Sequence, residues 1–181
     1  MRTLPLLLFL VLSVFVSCKK KIETPPEPTL ADKLMEKEWQ GEMIKINATP
    51  PAPAAPINQE LPLIGARLNF KSDKTFTVKL TEAAEPQTGN WEMLENYTKL
   101  KLTGGFTTAL NGIINTNIAN IPLPAGTSIT SIVIPEIFDI KTLNDTNLGF
   151  KGIVVVNLAV TAGPFTIPIP FNVNTEFFFK R

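Results

Sequence analysis

The 181 residues contain no histidine and a single cysteine. Without histidine there is no Ser-His-Asp triad, no Cys-His pair and no imidazole metal ligand. Charge of either sign is in no surplus, with 17 Lys and Arg against 16 Asp and Glu. A nucleic-acid partner, which demands a basic excess, is therefore not expected. No GxxxxGK, GxGxxG or HExxH spacing occurs, so the phosphate cradles and zinc helices that those spacings build are not expected either. Residues 102–135 run for 34 positions without one charged side chain. A solvated meander would carry Lys or Glu at its outward positions, as Lys99 and Lys101 do immediately before.

What is present begins with the position of that one cysteine. Arg2 supplies a short positive segment, Leu4 to Val16 form an apolar run interrupted by Pro5 and Ser13, and Ser17 precedes Cys18. This pattern reads as a secretory signal over residues 1–17, too short and wrongly flanked to span a bilayer as a helix. An ordinary signal places small residues three and one positions before the cut. Here the residues are Phe15, Val16 and Ser17, followed by cysteine. The arrangement resembles a bacterial lipobox, with Phe15 where leucine is usual. That resemblance implies a diacylglycerol on the Cys18 sulfur, a second acyl group on its nitrogen after cleavage, and membrane attachment through the lipid. More than one chain is what stable anchoring needs. Cleavage before Cys18 removes Arg2 and no acid, leaving sixteen side chains of each sign. The one basic cluster, Lys19 to Lys21, sits beside the lipid, where each lysine adds ~1 kcal/mol at an anionic surface. No aspartate follows Cys18, so the retention signal that keeps some lipoproteins at the inner membrane is missing. The expected location is the outer membrane of a bacterial cell envelope.

Residues 18–28 are polar and proline-rich, which predicts an extended tether. Thr29, followed three residues later by Asp32, predicts a capped short helix from about residue 30 to 37, delivering Trp39 to a first strand. Strict alternation then dominates. Ala66, Leu68 and Phe70 share one face, as do Phe76, Val78 and Leu80, across the polar turn KSDK. Trp91 with Met93, and Leu100 with Leu102, do the same across ENY. Near the C-terminus, IFDIKTL pairs with LGFKGIVVVNLAV across NDTN, and Phe165 to Phe179 alternate in a long last strand. Pro168 and Pro170 lie on one face of that strand, which marks it as an edge or a break there. Residues 48–62 hold five prolines and predict a long exposed loop. Inside the charge-free stretch, Phe106, Leu110, Ile113, Ile114 and Ile118 have helical spacing, although Gly112 and the β-branched residues oppose a helix. A strand near Ile129 to Ile134 follows. The sum is one domain over residues 29–181, mainly β, with about eight to nine antiparallel strands. A closed or nearly closed barrel accounts for this pattern, and a two-sheet sandwich is the alternative.

The series EKEWQG, LNFKSDKTFTV and GNWEMLENYTKLKL, set behind a lipobox and a spacer, is similar to the lipocalin-like lipoproteins of Bacteroidota. Trp39, Phe70, Asp73, Thr75, Phe76, Gly89 and Trp91 carry the resemblance over residues 30–102. It implies a lipocalin-like barrel, with the uncharged insert at 102–135 as a departure.

Catalysis is not expected. Cys18 is consumed by lipid, and the carboxylates Glu92, Glu95, Glu82 and Glu85 fall on outward positions or a polar loop and not in a facing pair. TGGF at 103–106 lacks the spacing of a phosphate cradle, and Asp145 lacks the acidic ladder of a calcium loop. No metal and no cofactor are expected. Two functions remain. In the first, the barrel binds a small apolar ligand, with Trp39, Leu68, Phe70, Phe76, Val78, Trp91, Met93, Leu100 and Leu102 as ligand-facing or core residues. In the second, the barrel is filled, and Phe106, Leu110, Ile113, Ile114 and Ile118 dock on another envelope protein.

Overall fold

The computed structural model describes residues 28–50, 55–118, 126–162 and 165–181, with the side chains of 115–118 and 162 outside the description. The expected signal segment, the Cys18 lipidation site and nearly all of the tether lie outside the described residues.

Thr29 opens helix α1 (Leu30–Met35) with a capping box. Its hydroxyl accepts from the Asp32 amide at 3.1 Å, and the Asp32 carboxylate accepts from the Thr29 amide at 2.8 Å. Two of the donors that a helix start leaves open are thereby satisfied. Strands β1 (Trp39–Ala48) and β2 (Ile57–Pro62) follow, then the hairpin of β3 (Arg67–Phe70) and β4 (Thr75–Lys79). A second hairpin joins β5 (Gln87–Leu94) to β6 (Lys99–Gly104), which leads into helix α2 (Gly105–Ile118). Strands β7 (Thr127–Val133), β8 (Ile137–Leu143), β9 (Asn147–Ala162) and β10 (Phe165–Lys180) complete the chain.

Eight of these strands close on themselves in the order β1-β3-β4-β5-β6-β8-β9-β10, every pairing antiparallel, with β10 returning to β1. The fold is thus mainly β: a closed eight-stranded antiparallel barrel with a short N-terminal helix, and not a two-sheet sandwich. Closure removes the free edges that an open sheet would leave. Alternation predicts this well, because the barrel strands turn alternate side chains inward, most regularly in β3 and β4 with Leu68, Phe70, Phe76 and Val78.

Strands β1, β9 and β10 are longer than the barrel is tall. Past the rim they form an extension. There β2 pairs with Met43–Ala48 of β1, and β7 pairs with Val155–Val160 of β9. The expected exposed loop at 48–62 needs correcting accordingly. Ile57–Pro62 is strand β2, in register with β1 from Ala48↔Ile57 to Met43↔Pro62. Proline density misleads here because Pro56 and Pro62 fall just before the strand and at its last residue, where a missing amide costs least. Strand β10 is unbroken through Pro168 and Pro170. Its pairing with β1 stops at Val173, so at those prolines β9 is its one strand neighbour among the described residues.

Candidate functional site

The barrel interior is packed with side chains from the strands, and the charge-free stretch adds to that filling. That stretch is not one unit: its first residues finish β6, its middle is α2, and its later part contains β7. Gly104 takes φ +81°, a left-handed turn that favours glycine, and a Cβ on Gly105 would stand 2.5 Å from the Thr88 carbonyl oxygen. The pair TGGF therefore turns the chain sharply from β6 into α2, so that Phe106 enters the barrel. Its ring centre lies 5.2 Å from Phe138, 5.7 Å from Phe150 and 5.3 Å from Phe177. All four rings are fully buried, and edge-to-face pairs of this kind add about 0.5–1.5 kcal/mol each beyond burial. Leu110 and Ile114 follow Phe106 at one-turn intervals and are buried too.

Residues expected as a docking segment thus divide. Phe106, Leu110 and Ile114 are turned inward and leave the docking surface because they cover the barrel mouth. Ile113 is half-buried on the neighbouring stripe, and Ile118 ends the helix. The residues expected as ligand-facing or core are equally distinct in place. Trp39, Leu68, Phe70, Phe76, Val78, Trp91, Leu100 and Leu102 are buried in one cluster, with Met93 half-buried against it. None of these nine lines the groove described next.

That groove lies at the rim, between α2 and the base of the extension, with a volume of about 470 Å³. Ile44 of β1, Leu61 of β2, Leu63 beyond it, Leu80 after β4, and Ala109 and Ile113 of α2 are among its walls. No charged side chain lines it, and Thr81 supplies the one side-chain hydroxyl. On the α2 side the wall is low at Gly112, where a methyl group in place of the glycine hydrogen would meet nothing within 4 Å among the described residues. Sequence reasoning missed the groove because its walls come from four segments far apart in the chain, one of them in the stretch read as loop. A visible signal existed: Ala109 and Gly112 are small residues on an otherwise bulky stretch of helix.

The residues that carry the family resemblance are scaffold. Asp73 accepts from the Thr75 amide at 2.9 Å and its hydroxyl at 2.6 Å, which holds its carboxyl below the usual carboxylate range and closes the β3–β4 turn. Trp91 donates its indole N–H to the Lys71 carbonyl at 3.0 Å, packs edge-on against Phe70 at 5.5 Å, and lies under the Lys74 ammonium at 4.1 Å. Asp145 is likewise held low, first by its hydrogen bond from Lys33 at 2.7 Å.

Fold and site together define a plugged eight-stranded antiparallel barrel with an uncharged groove at its mouth. No protein-family model matches the chain, and no curated protein matches it. Among solved structures it is similar to the crystal structure of a multidomain protein including DUF1735 from Bacteroides ovatus, at 4% identity and a TM-score of 0.29, over 80% of this chain and 55% of that one. The chain therefore spans about half the length of that protein.

Proposed function

We propose that this chain is a lipid-anchored, non-catalytic protein of the bacterial cell envelope, lipocalin-like in kind, that holds a small apolar ligand at the barrel mouth. The observation that carries the reading is the rim groove: about 470 Å³, within the range of small-molecule sites, and lined without charge. Its chemistry suits an uncharged hydrocarbon portion of a ligand, whose polar end would emerge toward solvent near Thr81. The Cys18 lipobox supports anchoring, and the absent aspartate after Cys18 supports the outer membrane.

The filled axis favours a second reading, in which the barrel takes no ligand and serves as a structural or docking lipoprotein. Native mass spectrometry of the full-length protein, extracted in detergent from its own membrane, separates the two. The ligand reading expects a bound apolar mass on the wild type that is depleted in Gly112→Leu, a change that fills the groove and suits a helix better. A wild type without adduct, or an adduct equal in both, removes ligand binding at the groove.

A further inference from the structure

The rim groove and the start of the chain lie within reach of each other. Helix α1 packs against β3 and β8, across the end of the barrel where β1 begins. The Asp32 carboxyl is held below its usual range by the Thr29 hydroxyl first, and the Lys74 ammonium adds to this, so the start of α1 faces the β3–β4 turn. From that turn β4 climbs toward the groove. Thr75 to Thr81 is six residues, about 20 Å at the rise of a strand. Cys18 stands ten residues before Pro28, where the described chain begins. Ten residues of a proline-rich tether extend about 30 Å. The lipid that the Cys18 motif implies is therefore within reach of the groove, along the outside of the barrel.

The chemistry of the groove separates that occupant from a free lipid. A free fatty acid or phospholipid brings a carboxylate or a phosphate, and no cation lines the groove to receive one. No aromatic ring lines it either, although aromatic rings fill the barrel beside it, so its walls suit an aliphatic chain better than a flat ring system. The chains of a lipidated cysteine are joined through thioether, ester and amide groups, all uncharged. The Thr81 hydroxyl is the side-chain donor that an ester or amide carbonyl there would use. Ile64, at the same groove, is 71% exposed, and a seated chain would cover it. A tether also holds its chain at an effective concentration on the order of millimolar, an advantage that no free lipid has.

We propose that the groove seats one acyl chain of this protein's own lipidated Cys18 while the anchor is out of a bilayer, and releases it on membrane insertion. Anchor and ligand then share one site, which opens to ligand only once the lipid has entered the membrane. The inference rests on the lipid-anchor and groove readings above and adds a competition between them. In water, seating a chain takes its methylenes out of solvent. In a bilayer that gain vanishes, because hydrocarbon surrounds the chain in either place.

Cells fed a diazirine-bearing fatty acid supply the lipidated protein with photoreactive chains on Cys18. The purified protein is irradiated after detergent removal and, separately, in phosphatidylcholine vesicles, and crosslinked peptides are mapped by mass spectrometry. Without a membrane, the Cys18 peptide is expected to join residues 61–64, 80–84 or 109–113. In vesicles, and in Gly112→Leu without a membrane, the yield is expected to fall about tenfold. Ala84→Leu, in the loop after β4, narrows the groove from its other side and replaces Gly112→Leu if that variant folds poorly. Photolabel on Cys18 without groove crosslinks overturns the proposal and leaves the anchor reading standing. Groove crosslinks unmoved by vesicles, or by the folded variant, overturn it too. Labelled free lipid joined to the groove in place of the Cys18 peptide keeps the ligand reading and overturns this one. No label on Cys18 removes the anchor and the proposal together.

Discussion

The Arg181 guanidinium stands 3.9 Å from the centre of the Trp39 ring, and both side chains cap the same helix end. Trp39 donates its indole N–H to the Leu34 carbonyl at 2.9 Å, and Arg181 donates to the Lys33 carbonyl. Arg181 also reaches Glu36 at 2.9 Å and the Asp145 carbonyl at 3.2 Å. The last carbonyls of α1, which a helix leaves open, are thus taken by the first residue of β1 and the residue after β10. These two strands are neighbours in the barrel, so the clamp joins barrel closure to helix docking.

Arg181→Ala is expected to cost about 2–3 kcal/mol, combining a partly desolvated cation–π contact with the lost carbonyl bonds. Little of this comes from Glu36, whose side chain is half exposed. Arg181→Lys should recover less than half, because an ammonium lacks the planar fork. Urea melts of the three proteins check this. Equal stability of the lysine variant and wild type would reduce the clamp to a charge effect.

Trp91→Ala is expected to cost roughly 3–5 kcal/mol, the range for truncating a buried large aromatic. The ring supports the β3–β4 turn from below through the Lys71 carbonyl, so amide exchange in residues 71–75 should rise with it. A loss below ~1 kcal/mol would mean that Trp91 is a surface residue.

Acid should loosen the molecule at its carboxylate turns. Asp32 is held below the usual range chiefly by the Thr29 hydroxyl, Asp73 by Thr75 and Asp145 by Lys33. A carboxyl lowered in the folded state contributes stability that is present above its unfolded value, about 3.9. That contribution is lost as pH falls through the lower folded value. Melting temperature should therefore drop below about pH 4, and the Asp32→Asn/Asp73→Asn/Asp145→Asn variant should show a shallower drop. An identical acid slope in the variant would place the acid sensitivity elsewhere.

Phe106→Ala should cost about 3–5 kcal/mol and leave a hole among Phe138, Phe150 and Phe177. Because that hole is apolar and enclosed, it should take up benzene or xenon, detectable as a rise in melting temperature on saturation. No uptake would mean that α2 shifts to refill the axis.

Strand identity was legible wherever one face was buried and the other wet, as along Leu68, Phe70, Phe76 and Val78. The capping box at Thr29 and Asp32 was legible because both its bonds are local. Strand β2 was not, since the alternation of INQELP is weak and its pairing with β1 is set by tertiary context. The fate of α2 was half legible. Helical spacing marked Phe106, Leu110 and Ile114 as one stripe, but the direction of that stripe depends on Gly104 and Gly105, whose tight turn is a matter of packing against Thr88. The rim groove left only the small residues Ala109 and Gly112 as a trace in the sequence, since Ile44, Leu61, Leu80 and Ala109 meet only once the barrel has closed.

The stripe on α2 gives the sharpest test of how the charge-free stretch is used. Ile114 is 3% exposed on the barrel side, whereas Thr108 is exposed on the same helix. A lysine at 114 would forfeit the buried aliphatic group and bring an ammonium against Leu110 and the barrel mouth, an expected cost above ~3 kcal/mol. A lysine at 108 adds a good helix former in water and should change stability by less than ~0.5 kcal/mol. Chemical melts of Ile114→Lys and Thr108→Lys, read by tryptophan fluorescence from buried Trp39 and Trp91, should differ accordingly. If both variants melt like wild type, α2 is dispensable to the barrel and its residues are a tolerated surface helix. If both unfold, the helix is covered on its outer side as well, and the missing charges of residues 102–135 would then reflect burial on two faces.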